Sequence, residues 1–150
     1  MQQSCGFQRV ARVAVVFIAL CLAACARPDA EAGVRAGVAG LQAAIDARDA
    51  GDIEAMLDED FIGNNGLDRL GARRLAAGVF LRYRDVAARV GPVEVELRGE
   101  RDAIARFTVL ATGGSGSGLP ERGQLYLVET GWLRVEGDWR LLSAEWTPAL

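Results

Sequence analysis

The 150-residue sequence contains neither histidine nor lysine. Histidine is the commonest metal ligand and the commonest general base, and lysine is the residue that forms Schiff bases with carbonyl substrates. Catalytic arrangements of the Ser-His-Asp and Cys-His types therefore cannot be built from this chain. Any chemistry would have to come from carboxylates, tyrosines, arginines or hydroxyl groups. We expect no metal site and no cofactor.

Cysteine is scarce as well, and two of the three cysteines lie in a segment with the features of an export signal. Two arginines precede an uninterrupted apolar run over 13–22, which is shorter than the roughly 20 residues that a membrane-spanning helix needs. If this segment is removed, Cys25 is left as the single cysteine. No disulfide framework and no thiol catalysis are then expected.

The apolar run ends in Leu22-Ala23-Ala24-Cys25, which resembles the lipobox of bacterial lipoproteins. The resemblance implies a signal peptide at 1–24, a tether at 25–33 that begins with a lipidated Cys25, and a domain at 34–150. It also implies a place on the periplasmic side of the bacterial cell envelope. The outer membrane is favoured over the inner one, because Ala26 and not an aspartate follows the cysteine. An ordinary signal peptide cut nearby, or an uncleaved anchor, is the alternative.

Negative charge exceeds positive charge, and the formal net charge is −3. Without basic runs, such a composition argues against nucleic-acid binding. It also argues against electrostatic adhesion to anionic lipid. The expected partners are therefore the membrane through the lipid anchor, and either a small apolar ligand or an envelope protein.

Apolar periodicity predicts helices in the first part of the domain. One face of a first helix is formed by Val34, Val38, Leu41 and Ile45, which recur every three or four residues. Gly51 is interpreted as its C-terminal cap and Asp52 as the N-cap of a short second helix. A loop is predicted over 61–67. Asp68 is predicted to cap a third helix whose apolar positions are Leu75, Val79, Tyr83, Val86 and Val90.

After Pro92 the pattern changes to the alternation that is typical of strands. Strands are predicted over 93–97, 103–111, 124–135 and 139–147. The second and third are joined by a loop rich in Gly and Ser over 112–123, and the last two by a tight two-residue turn at Gly137-Asp138 or Glu136-Gly137. Helices followed by an antiparallel meander indicate an α+β fold.

Two segments in this order resemble the nuclear transport factor 2-like superfamily, which includes the SnoaL-like proteins. They are 45–61, where Gly51-Asp52 precede a short helix and Asp60-Phe61, and 130–146, where a glycine turn is followed by Trp139 and an apolar strand. The resemblance implies three N-terminal helices packed on a curved, four-stranded antiparallel sheet that forms a cone with an apolar pocket. The superfamily contains isomerases, dehydratases and binding modules, so the fold leaves the function open. Its dehydratases use a pocket histidine, which this chain lacks.

The closing hairpin predicts which side chains share a face. With a two-residue turn, one face carries Tyr126, Val128, Thr130, Trp132, Leu141, Ser143 and Glu145. The other carries Leu127, Glu129, Leu133, Leu142, Ala144 and Trp146, and suits packing or a homodimer contact through the sheet. Because the first face mixes apolar area with hydroxyl groups and one carboxylate, it is typical of a small-molecule pocket. The ligand-binding candidates are Tyr83, Tyr126, Thr130, Trp132, Ser143 and Glu145.

Glu145 is also the first candidate for a general base, and Asp60 is the second, with Tyr126 or Tyr83 as the acid. The opposing interpretation is that Glu145 is solvated at the sheet rim or pairs with an arginine such as Arg106. Asp60 belongs to an acidic run of the kind that is usually solvated. Three functions stay open: a small-molecule-binding or accessory domain, a docking module for an envelope protein, and a small isomerase or lyase. Whether the protein is an enzyme is therefore undecided by the sequence.

Overall fold

The structure is a computed structural model that describes residues 29–114 and 122–149. The signal peptide, the lipidated Cys25 and the centre of the Gly/Ser-rich loop lie outside these residues. The helices are α1 (29–46), α2 (Ala50–Met56) and α3 (Arg69–Arg82). The strands are β1 (Leu57–Gly63), β2 (Leu67–Asp68), β3 (Asp85–Val90), β4 (Glu94–Arg98), β5 (Asp102–Gly114), β6 (Arg122–Val135) and β7 (Asp138–Pro148). None of the helices in the described ranges is long and apolar enough to cross a bilayer.

The strands form one mixed sheet. Its order is β2-β1-β7-β6-β5-β3, and β4 pairs with β5 beyond the end of β3. The pairing is antiparallel except between β1 and β7, which run parallel. The prediction of an α+β fold with three helices and a curved sheet is confirmed, whereas the prediction of four antiparallel strands is wrong. The additional strands are β1, β2 and β3, which come from segments interpreted as loop and helix.

Helix α1 packs its predicted apolar face on the sheet. Val34 and Val38 are buried, and Leu41 packs against the same core. The approach is close at Gly37, where a Cβ atom would lie 2.5 Å from Cζ3 of Trp132. Glycine in the helix thus allows the indole of a sheet residue to lie against the helix backbone.

The predicted cap between the first two helices is displaced by three residues. The N-cap of α2 is Asp49, whose carboxylate accepts from the N–H groups of Gly51 and Asp52. Gly51 and Asp52 therefore lie inside α2 instead of flanking it. The chain reverses at Arg48, which has a positive φ of 59°. By contrast, Asp68 caps α3 as predicted, because its carboxylate accepts from the N–H of Gly71.

The third helix is shorter than predicted, because 85–90 forms strand β3. This edge strand pairs with β5 on one side. On its other side α1 supplies hydrogen-bond acceptors: Asp46 accepts from the N–H of Ala88 (3.0 Å), and Gln42 accepts from the N–H of Val90 (3.3 Å). These bonds satisfy an otherwise open sheet edge. The apolar spacing from Val86 to Val90 fits both helix and strand, and long-range pairing decides between them.

The predicted loop over 61–67 is only partly a loop. Strand β1 continues through Phe61 to Gly63, and a single 3-10 turn covers Asn64–Gly66. Asn64 then holds the end of β1 against β7, because its side-chain amide donates to the carbonyl of Trp146 (2.7 Å) and accepts from its N–H (3.1 Å). These two hydrogen bonds have the same pattern as those between paired strand residues, and they fix the position of Trp146.

Candidate functional site

A cavity of about 500 Å³ lies between the helices and the concave face of the sheet. Helices α1 and α3 contribute aliphatic side chains to it, among them Val38, Leu41 and Val79. Its aromatic residues come from several elements and are Phe61, Phe80, Phe107, Tyr126 and Trp146. The volume and the apolar lining are typical of sites for small organic molecules, which commonly occupy about 300 to 1,000 Å³.

Four of the lining residues carry uncharged polar groups: Gln42, Tyr126, Thr130 and Trp146. The hydroxyl of Thr130 is already occupied, since it donates to the carbonyl of Ala105 (3.1 Å) and accepts from Nε1–H of Trp132 (2.9 Å). The carbonyl oxygen of the Gln42 side chain accepts from β3. The Tyr126 hydroxyl, the Trp146 indole N–H and the Gln42 amide nitrogen make no hydrogen bond to another of the described residues, so these groups are left for a ligand, and Tyr126 supplies the one unoccupied hydroxyl.

The described part of the cavity wall carries no formal charge. Among the described residues that line it, none is an aspartate, a glutamate or an arginine. A charged group entering this space would lose its hydration without meeting an opposite charge, which is strongly unfavourable in an apolar environment. The arrangement therefore favours uncharged molecules.

Ser143 and Glu145 lie outside the cavity, so their predicted place on the face of Tyr126 is wrong. The hairpin turn has two residues, as assumed, because Val135 pairs with Asp138. However, Gly131 lies opposite Ser143 while Trp132 lies opposite Leu141, so Leu142 is an extra residue on β7. Such a β-bulge reverses the side-chain alternation beyond it.

The bulge also brings two residues inward that had been placed on the other face. Ala144 and Trp146 line the cavity beside Thr130 and Val128, which are their cross-strand partners. No residue type in the sequence marks the bulge, since Leu142 and its neighbours Leu141 and Ser143 include neither glycine nor proline. These two residues are therefore the part of the site that alternation alone could not find.

Glu145 lies instead in a shallow groove on the convex face of the sheet, together with Leu127, Glu129 and Thr147. Its cross-strand partner is Glu129, so two carboxylates face each other. The anticipated pairing of Glu145 with Arg106 is not found: Arg106 binds Glu129 (2.6 Å) and Glu96 (2.9 Å). A hydrogen bond from Arg106, together with the charge of Arg98 and its hydrogen bond, holds the pKa of Glu96 below its ordinary value of 4.5.

The remaining candidates are dispersed. Asp60 is exposed on β1, and it is its neighbour Phe61 that lines the cavity. Tyr83 ends α3 and packs against Gly113, with the Arg82 guanidinium 5.7 Å from its ring centre. Trp132 is 1% exposed and belongs to the core. Of the predicted ligand-binding residues, the structure thus brings Tyr126 and Thr130 together at the cavity, and it does not bring the two candidate bases there.

No protein-family model matches the sequence, and no curated protein matches it. Solved structures do match. An NTF2-like protein with a cystatin-like fold from Novosphingobium aromaticivorans is 20% identical, with a TM-score of 0.71 over 85% of this chain and 88% of that chain. A proposed scytalone dehydratase from the same species is 14% identical, with a TM-score of 0.72 over 83% and 87%.

A third match is the hexachlorocyclohexane dehydrochlorinase LinA-type3 from Novosphingobium barchaimii, which is 16% identical with a TM-score of 0.69 over 83% of this chain and 90% of that chain. At these identities the likeness concerns the fold. The described residues adopt the nuclear transport factor 2-like fold, with a seven-stranded mixed sheet around the cone.

Proposed function

We propose that this protein binds a small, uncharged and mainly apolar molecule in the cone-shaped cavity. The observation that carries the proposal is the composition of the cavity wall, which combines a large apolar area with one hydroxyl group open to a ligand, that of Tyr126. Burial of apolar surface would supply the affinity, at about 25 cal/mol per Å² before the cost of association is subtracted. Tyr126 would orient the ligand through one hydrogen bond.

The similar structures support a small organic ligand but not a particular reaction. Two of them carry names that refer to scytalone and to hexachlorocyclohexane. A reaction of the isomerase or lyase type in this chain would need a base at the ligand, yet Glu145 and Asp60 are both exposed outside the cavity. Binding therefore agrees better with the geometry than acid-base catalysis does.

A titration with the uncharged fluorescent probe N-phenyl-1-naphthylamine tests the proposal. Ala76 lines the cavity, so Ala76→Phe should fill part of it and weaken probe binding at least tenfold. Ala43 is exposed on α1, and Ala43→Phe is the matched control that should leave binding unchanged. Equal affinities of the two variants would show that the probe binds elsewhere.

We propose further that acylated Cys25 holds the protein in the bacterial cell envelope, on the periplasmic side of the outer membrane. The support is the order of arginines, apolar run and Leu22-Ala23-Ala24-Cys25. Mass spectrometry of the mature N-terminus should find a chain that begins at an acylated Cys25. An unacylated chain that begins at another residue would contradict the anchor.

Docking of an envelope protein, or of a second copy, is the second candidate function, and one observation favours it. Leu110, Leu125 and Leu127 are exposed on the convex face of the sheet, where Leu110 and Leu125 are cross-strand partners. Contiguous exposed apolar side chains are typical of protein contact sites. Sedimentation of the wild type and of Leu127→Glu would show a change of mass if this face joins two copies.

A further inference from the structure

A second exposed apolar surface lies on α3, on the side of the helix that faces away from the sheet. Leu81 is 89% exposed and Leu70 is 45% exposed. With 3.6 residues per turn, Leu70, Arg74, Gly78 and Leu81 lie within an arc of about 80°. A Cβ added at Gly78 would meet no atom within 4 Å, so this side of the helix is open.

The charge around this surface is positive, although the chain as a whole is acidic. Between Asp68 and Asp85 the sequence has arginines at 69, 73, 74, 82 and 84 and no carboxylate. Arg69 and Arg73 are engaged with Glu54, through its carbonyl and its carboxylate respectively. Arg74, Arg82 and Arg84 enter none of the ion pairs found among the described residues, and all three are exposed.

The same helix borders the cavity. Leu75 lines the cavity and is nevertheless 50% exposed, whereas the other lining residues in the described ranges are buried or half-buried. On the helix, Leu75 lies next to Gly78 and Arg82, at the border of the exposed surface. A molecule that leaves the cavity past Leu75 therefore meets the Arg-rich, leucine-bearing side of α3.

We propose that this side of α3, formed by Leu70, Arg74, Gly78, Leu81 and Arg82, docks on an anionic lipid surface and turns the Leu75 side of the cavity toward the bilayer. Exposed leucines between unpaired arginines fit the boundary between acyl chains and anionic head groups. The net acidity of the chain had argued against such adhesion, but the charges are not evenly distributed. On the convex face, Glu145 and the Arg106-paired Glu129 lie beside the exposed Leu127, so this face lacks the excess of positive charge that α3 carries.

The orientation of the full-length chain on lipid nanodiscs tests this proposal. Nanodiscs that contain phosphatidylglycerol and a lipid with a nitroxide on its head group should broaden the methyl NMR signals of Leu70, Leu75 and Leu81. The signals of Leu125 and Leu127 on the convex face should stay sharp. Broadening on the convex face alone, or equal broadening of all five residues, would overturn the proposal.

Partition into vesicles provides a second readout that does not depend on the cavity. Each arginine near an anionic surface contributes about fivefold to partition, so Arg74→Gln with Arg82→Gln should lower it about 25-fold. Arg101→Gln with Arg134→Gln changes the net charge equally at exposed positions elsewhere and should leave it within twofold. Residues 1–28 are identical in both variants, so the ratio reports on α3.

Three results would contradict docking: equal loss in the two double variants, equal partition into phosphatidylcholine and phosphatidylglycerol vesicles, or no loss with Arg74→Gln and Arg82→Gln. Failure of the proposed ligand binding is a separate result, because probe binding to the cavity is measured without lipid. If the protein binds the probe but does not partition into the vesicles, the docking proposal is wrong and the ligand-binding proposal stands.

Discussion

The indole of Trp132 lies against the backbone of α1 at Gly37, where a Cβ atom would approach Cζ3 and Cη2 of the ring to 2.5 and 2.7 Å. The ring cannot move aside easily, because it is 1% exposed and its Nε1–H is bound to Thr130. This contact fixes the distance between α1 and the sheet, and hence the width of the cone.

We predict that Gly37→Ala destabilises the protein. Overpacking of a core costs about 1–3 kcal/mol, which would exceed the gain of at most about 1 kcal/mol that alanine brings to a helix. Gly78→Ala in α3 is the matched control, because its Cβ meets no neighbour and only the helical gain applies. Urea unfolding of both variants measures the difference. A more stable Gly37→Ala would show that α1 does not approach the ring this closely.

We predict that Thr130→Val lowers the free energy of unfolding by about 1–3 kcal/mol, because it leaves the buried indole N–H without an acceptor. Thr130→Ser keeps the hydroxyl group and should recover most of this stability. Thr147→Val, at an exposed position, should change it by no more than about 0.5 kcal/mol. Thermal unfolding distinguishes the three variants. Equal behaviour of Thr130→Val and Thr130→Ser would mean that the hydrogen bond contributes nothing.

We predict that Arg106→Gln raises the pKa of Glu96 toward its ordinary value of 4.5, because the largest cause of the lowering is the hydrogen bond from Arg106. A carboxylate whose pKa is lowered in the folded state stabilises that state above its unfolded pKa. This contribution is lost as the pH falls through the folded pKa. The wild type should therefore lose stability below about pH 4.5, over an acidic range in which the variant loses less. A carboxyl titration by NMR measures the pKa directly, and an unchanged value would contradict the ion pair.

We predict that Glu145→Gln leaves probe affinity unchanged, since Glu145 lies in the convex groove. Tyr126→Phe should weaken binding of a probe with an N–H group, because about 0.5–1.5 kcal/mol of hydrogen bonding is lost. This corresponds to a factor of about 2–13 in affinity. Fluorescence titration of both variants gives the comparison. Loss of probe binding in Glu145→Gln together with full binding in Tyr126→Phe would contradict this placement. It would indicate that Glu145 faces the cavity, as strict alternation along β7 predicts.

The helix–sheet order and the apolar face of α1 could be predicted from the sequence, because both depend on local periodicity. Strand β3 could not be predicted, because the spacing of Val86 and Val90 fits a helix as well as a strand. Only the tertiary structure shows that Asp46 and Gln42 of α1 accept hydrogen bonds from the open edge of this strand. The extent of β1 was missed for a similar reason. Its strand partner β7 lies some 80 residues later in the chain, as the pairing of Ile62 with Ser143 shows.

Only part of the candidate site could be predicted from the sequence. Tyr126 and Thr130 were found because they precede the bulge, where strict alternation holds. Ser143 and Glu145 were misplaced because one unpaired residue, Leu142, reverses the faces after it. The contributions of α3 and of Phe61 depend on tertiary packing, which composition does not reveal.

Intermolecular NOEs between a bound apolar probe and the protein test the central claim most directly, because they locate the ligand without reference to a mutation. We predict contacts from the probe to methyl groups of Val38, Val109 and Val128 and to the ring of Tyr126, all of which line the cavity. Contacts confined to Leu110, Leu125 and Leu127 on the convex face would contradict binding in the cone.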